Sequence, residues 1–170
     1  MTPMRVLGID PGLRLTGYGC VEGDERSPGI VEAGVFRLVS GSGPPPPIVE
    51  RLEELADDLE ELLARTAPDL AAVEALFAHY RHPATAMVMA HARGVILLTL
   101  RRAGVPFVEL PPKSVKLAMA GTGRAGKRQM QDSVASVFGL ASPPEPTDVA
   151  DALAIAFAAM IRRGRDMVSP

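Results

Sequence analysis

Short apolar runs come first along the chain, and helical spacing takes over only after residue 47. Arg5–Asp10 (RVLGID) is short, branched and closed by the turn Asp10-Pro11-Gly12, which predicts a buried first strand. Residues 16–21 (TGYGCV) and 30–39 (IVEAGVFRLV) predict two more. Their short separations favour an antiparallel meander. Gly41-Ser42-Gly43 and the four prolines Pro44 to Pro47 predict a stiff surface loop, because proline cannot join a ladder.

In Ile48–Thr66 the apolar residues Ile48, Leu52, Leu55, Leu59 and Leu62 recur at helical spacing, with acids filling the other face. This is the pattern of a helix lying on a sheet. Leu70–Glu74 (LAAVE) predicts a short strand. Pro83–Arg102 predicts a helix apolar around most of its circumference, which needs cover on two sides: the sheet, and either a second subunit or another helix. A strand over 105–110 and helices over 114–120, 127–138 and 148–163 complete the pattern, with Thr147 as N-cap of the last. Three early strands, then strands alternating with helices, predict an α/β fold: a mixed central sheet, antiparallel first and then parallel, flanked by helices. Neither a repeat nor a linker interrupts it, so residues 1–170 are expected to form a single domain.

Composition narrows the chemistry. The 170 residues are 47% hydrophobic but only 4% aromatic, without Trp, so the core must be built from Ala, Leu, Val, Ile and Met. The lone Cys20 excludes an intramolecular disulfide and a cysteine-based zinc site, and it reads as a small core residue. The apolar stretches read as too short for a membrane span, and the N-terminus lacks a signal peptide's apolar core. A cytoplasmic protein without a membrane partner is expected.

The net charge of −2 argues against a nucleic-acid partner, but its distribution argues for one. Residues 50–69 hold eight acids and two arginines, whereas residues 79–131 hold nine Lys or Arg and one acid, Glu109. A polyanion would feel the basic half while the acidic helix faced away.

Four acids occupy unusual places. Asp10 and Glu74 each close a buried strand at its carboxyl end, where open α/β sheets collect ligands. Asp148 and Asp151, three apart at the start of the last helix, project from one face. Singly, Asp10 could order a turn and Asp148 could serve the helix dipole. Asp151 and Glu74 are harder to dismiss, since a carboxylate amid apolar neighbours is costly unless a cation meets it. Four carboxylates in one place would raise each other's pKa, and divalent cations would remove the conflict. Two Mg²⁺ ions, with Mn²⁺ able to substitute, are the standard apparatus for hydrolysing a phosphodiester. The three histidines, His79, His82 and His91, are not needed for such chemistry and read as surface or packed residues, His91 as packed on the apolar helix.

Gly8-Ile9-Asp10-Pro11-Gly12 with Thr16-Gly17-Tyr18-Gly19 resembles the opening of the RuvC-type Holliday junction resolvases. Val73-Glu74-Ala75-Leu76-Phe77 resembles their second acidic motif. Ala92-Arg93-Gly94, Ser114-Val115-Lys116, the run from Gly126 to Gln131 and the run from Asp148 to Ala156 follow in the family's order. The resemblance implies a ribonuclease H-like fold, a homodimer, Mg²⁺ dependence and paired nicks across a four-way DNA junction, with a branch-migration motor as partner. It implies Asp10, Glu74, Asp148 and Asp151 as metal-binding catalytic acids, Phe77 as a base-stacking aromatic, and Lys116 and Lys127 in DNA binding or catalysis. Tyr80 and Arg81 beside Phe77 suit the same DNA contact. Lys113 joins the other two lysines near the expected backbone path, and Lys127 could stabilise developing phosphorane charge. Arg124 and Arg128 suit nonspecific phosphate binding. Leu13, where a small polar residue is common, and the proline run depart from the family pattern.

Three other readings compete. An actin-like ATPase would need a duplicated domain and a second phosphate loop, which 170 residues cannot hold. A non-catalytic nucleic-acid binder would not need Asp148 and Asp151 together. An RNA-processing nuclease on the same fold is separated from a resolvase by the dimer that symmetric cuts require.

Overall fold

The computed structural model describes residues 3–75 and 83–168. Five strands form one mixed sheet in the order β3-β2-β1-β4-β5. β1 (Arg5–Asp10) pairs antiparallel with β2 (Leu15–Gly23), which pairs antiparallel with β3 (Pro28–Arg37). On its other side β1 runs parallel to β4 (Leu70–Glu74), and β4 runs parallel to β5 (Phe107–Leu110). The expected meander followed by parallel strands is present; the third strand stops at Arg37, and Leu38 instead donates its N–H to the Arg14 carbonyl (3.0 Å).

Side-chain alternation splits the core into two layers. Leu7, Ile9, Cys20, Ala71 and Val73 face α1 (Ile48–Thr66) and α2 (Pro83–Arg102). Val6, Val21 and Ala72 face α5 (Thr147–Val168), which is backed by α3 (Pro112–Ala120) and α4 (Lys127–Val137). The acids of α1 therefore lie across the sheet from the lysine-bearing helices. The last helix begins at Thr147 rather than being capped by it: the Pro146 carbonyl accepts the Val149 N–H. Burial leaves the Cys20 thiol neutral, with a pKa pushed up to about 11.

Apart from half-buried Asp151, α5 is buried from Val149 to Ile161 between the sheet and two helices. Its alanines let three layers approach closely, which explains a core with few aromatic rings. The sheet cooperates through glycine. A Cβ on Gly8 would stand 2.1 Å from the Ala152 carbonyl oxygen, and one on Gly17 would stand 2.1 Å from that of Asp148. Gly17→Ala must therefore lift the start of α5, and overpacking of this kind costs about 1–3 kcal/mol. Thermal unfolding in EDTA should show a Tm lower by about 4–10 °C; an unchanged Tm would mean that α5 does not rest on this strand.

α2 departs from expectation in two ways. By length and composition it is apolar enough to cross a membrane, contrary to the reading of short apolar stretches. Here it packs along α1, with Ala92, Arg93, Ile96, Thr99 and Leu100 buried, and carries an ion-paired arginine at its middle that lipid would penalise. Its His91 is exposed rather than packed. Met87 and Leu98 also stand out to solvent.

Candidate active site

Asp10 and Glu74 are placed by strand register. Ile9 is opposite Val73 in the parallel β1–β4 pair, so the next residues on the two strands are the acids, side by side at the carboxyl edge. Period two turns both toward α5. The contact of Gly17 with the α5 N-terminus then brings Asp148 over β2 at the residue paired with Asp10, and Asp151 follows one helical turn on. A cleft of about 330 Å³ opens between Asp10, Glu74, Lys116, Lys127, Met130 and Asp151.

The electrostatics follow from that crowding. Burial, then the charges of Asp151, Glu74 and Asp148, push the Asp10 carboxyl from 3.8 up to about 8. Burial and Asp151 raise Glu74, while Lys116 pulls it down. Burial and Asp148 raise Asp151, against Lys127 and Lys116. Two lysines thus offset part of the negative charge from one side. Among the described residues, Asp10 gains no such cation.

Among the described residues, no three His, Cys, Asp or Glu side chains stand close enough as they lie to hold a metal ion. Asp10, Glu74 and Asp151 line the cleft without converging on one point, Asp148 stands beside it in the wall of a neighbouring hollow, and a cation would have to draw the four side chains inward. The donor set suits a hard divalent ion: the potential ligands lining the cleft are carboxylates, with no thiol or imidazole among its described residues. Asp10, crowded by three like charges, is the group such an ion would relieve most.

Two buried arginines support the strand ends, and sequence reasoning gave neither a role. Arg93 of α2 donates to the Glu74 carbonyl (2.6 Å) and pairs with Glu109 of β5. Arg51 of α1 donates to the Leu13 carbonyl (2.9 Å) in the turn after Asp10. That turn is also closed by Thr16, whose hydroxyl accepts the Gly12 N–H and donates to the Gly12 carbonyl. An arginine inside an apolar helix was the available signal for the first. For the second it was the position of Arg51, four residues before Leu55 and eight before Leu59. Arg93→Ala should cost about 1–3 kcal/mol in urea unfolding, since it leaves the part-buried Glu74 carbonyl without this donor, while the more exposed Glu109 returns to water. In a double-mutant cycle, Glu109→Ala should cost less in the Arg93→Ala background than alone; strict additivity would refute the coupling.

The basic residues expected to meet DNA divide. Lys116 and Lys127 line the cleft. Lys113 lies over Gly123 between α3 and α4, with exposed Arg124 beside it. Arg128 is on the outer side of α4 near Asp132 (3.8 Å) and lines a different hollow. Phe77, Tyr80 and Arg81, with His79 and His82, lie outside the described residues.

The family model for crossover junction endodeoxyribonuclease RuvC matches residues 6–159. The chain belongs to the RuvC family. The RuvC of Synechococcus sp. (strain RCC307) is 45% identical over 163 residues, covering 94% of this chain and all of the relative. That of Chloroflexus aggregans is 48% identical over 153 residues, 90% of each chain. Among solved structures, Thermus thermophilus RuvC in complex with a Holliday junction substrate superposes with a TM-score of 0.85 at 34% identity, covering 95% of this chain and 96% of that one. The mixed sheet and its helices are therefore the RuvC form of the ribonuclease H-like fold. Membership in RuvC carries the activity of a crossover junction endodeoxyribonuclease, a Holliday junction resolvase of recombination and repair.

Proposed function

We propose that Asp10, Glu74, Asp148 and Asp151 together hold two Mg²⁺ ions, replaceable by Mn²⁺, and that the chain resolves four-way DNA junctions by paired symmetric nicks. RuvC nucleases are metal-dependent in general, which supports the first part. The observation that carries this reading is the largely buried Asp10 carboxyl, acted on by three other acids and, among the described residues, by no cation. When bound, the cations supply activation of the attacking water and stabilisation of the leaving 3′-oxygen.

The chain's own residues do the rest. Lys116 opposes the burial that raises the Glu74 and Asp151 carboxyls and so favours the ionised form that would ligate a cation. Lys127, exposed at the start of α4 and close enough to act on Asp151, is placed to meet a phosphate oxygen as its charge grows. The partial burial of Asp10 and Glu74 strengthens each of these interactions by excluding bulk water. Two symmetric cuts need two such clefts, hence a homodimer, and the exposed Met87 and Leu98 of α2 suit a subunit contact. A branch-migration motor is the expected partner, and the compartment is the cytoplasm, where the DNA is.

The test is incubation with a synthetic four-way junction, a linear duplex and a single strand, each with Mg²⁺ and with EDTA. Paired nicks in the junction alone, abolished by EDTA, are expected. Preferred cutting of single-stranded RNA in a parallel reaction would make the chain an RNA-processing nuclease. Junction binding without cutting under both conditions would make it a non-catalytic binder.

A further inference from the structure

On the side of the acids away from the lysines lies a second hollow, of about 660 Å³, to which sequence reasoning gave no role. Gly12, Arg14, Arg37, Thr85, Met89 and Asp148 are among its walls. Asp148 thus belongs both to this hollow and to the group of acids that acts on Asp10. The hollow shares no wall residue with the cleft, and Asp148 is the group that links the two.

Its two arginines are held together by backbone. Leu15 is opposite Arg37 in the β2–β3 pair, and the Arg14 carbonyl accepts the Leu38 N–H (3.0 Å). Both side chains are exposed, and neither forms an ion pair among the described residues. Arg14 immediately precedes β2 and Arg37 ends the neighbouring edge strand β3, with Met89 and Val88 of α2 supplying an apolar wall. Asp148 is the one acid lining the hollow.

We infer that Arg14 and Arg37 form a second phosphate-binding track that receives the DNA backbone after it has crossed the four acids. The inference rests on the nuclease reading above and adds the direction of the strand. A strand lying across the acids is met on one flank by Lys116 and Lys127. On the other flank, Asp148 and these two guanidiniums are the charged groups among the described residues that line the hollow. Arginine suits that position because it is always charged and matches phosphate in a fixed fork. The exposed acids of α1 exclude the far side of the sheet as an alternative path.

The test uses the full-length protein and measures junction affinity from low to moderate salt without divalent cation. Each phosphate contact contributes about 0.9 to the slope of log K against log salt, so Arg14→Gln/Arg37→Gln, which removes two arginines from each subunit of the dimer, should flatten that slope by about 3–4. Affinity at moderate salt should fall about 10–100-fold, and cleavage at subsaturating junction should fall with it. Arg14→Lys/Arg37→Lys should restore the slope, which a merely misfolded variant would not. Arg101→Gln/Arg102→Gln, the same charge change at the far end of α2, should leave it as in wild type. An unchanged slope in the Gln pair, or an equal flattening in the Arg101/Arg102 pair, would overturn the track while leaving the nuclease reading intact. Wild-type protein that neither binds nor cuts the junction would instead overturn the nuclease reading, and the track with it.

Discussion

Asp10→Asn is expected to reduce junction cleavage in Mg²⁺ by at least about 10³-fold, roughly 4 kcal/mol of transition-state stabilisation, while junction binding in EDTA stays close to wild type. The asymmetry follows from position. Asp10 is recessed at the end of β1, where the charges of three acids reach it. Lys116 and Lys127 stand on the flank and keep their charges when Asp10 loses its own. Removing one carboxylate takes away a cation ligand, yet it leaves every group that meets phosphate. Single-turnover cleavage and a binding isotherm on the same junction check both halves. Equal loss of cleavage and binding would contradict the assignment of Asp10 to the metal site.

The same substitution should make the metal-free protein more stable, and the gain should grow with pH. A carboxyl whose pKa is higher in the fold than in the unfolded chain binds its proton more tightly when folded. Its contribution to stability is therefore complete below its unfolded value of 3.8 and is lost as pH rises through about 8. At pH 8 in EDTA, wild type should be less stable than Asp10→Asn by about 2–4 kcal/mol, allowing for the residual contact of Asp10 with water. That corresponds to a Tm difference on the order of 10 °C. At pH 4–5 the difference should nearly vanish. Millimolar Mg²⁺ at pH 8 should reverse the order, since it stabilises only the chain that keeps its ligands. Because metal must compete with a proton for Asp10, the Mg²⁺ concentration for half-maximal stabilisation should fall between pH 6.5 and 8.5. A wild type more stable than Asp10→Asn in EDTA at pH 8 would mean that the four charges are not felt together.

How much of this was legible in the sequence depended on whether a signal was local. The ends of α1, α2 and β4 follow from periodicity and from flanking prolines, which act within a few residues. The side-by-side placement of Asp10 and Glu74 was also readable, because both close short apolar strands and such strands pair at matching ends. Asp148 needed more: its place depends on Gly17 letting a helix 130 residues downstream lie directly on the strand, and composition does not announce that contact. Arg51 was merely counted among the charges of its helix, although its spacing to Leu55 and Leu59 puts it on the buried stripe. Ile48 shows the converse, being apolar in type and partly exposed in fact. Arg14 and Arg37 were invisible as a pair because only the strand register brings residues so far apart in sequence together.

The most direct test of the metal site is anomalous scattering from a crystal of the wild-type protein grown or soaked with Mn²⁺ near pH 8. Two peaks are expected within ligand distance of Asp10, Glu74, Asp148 and Asp151, with the side chains drawn toward them. Mn²⁺ bound elsewhere, or a cleft without a peak at millimolar Mn²⁺ and four carboxylates still apart, would contradict the site.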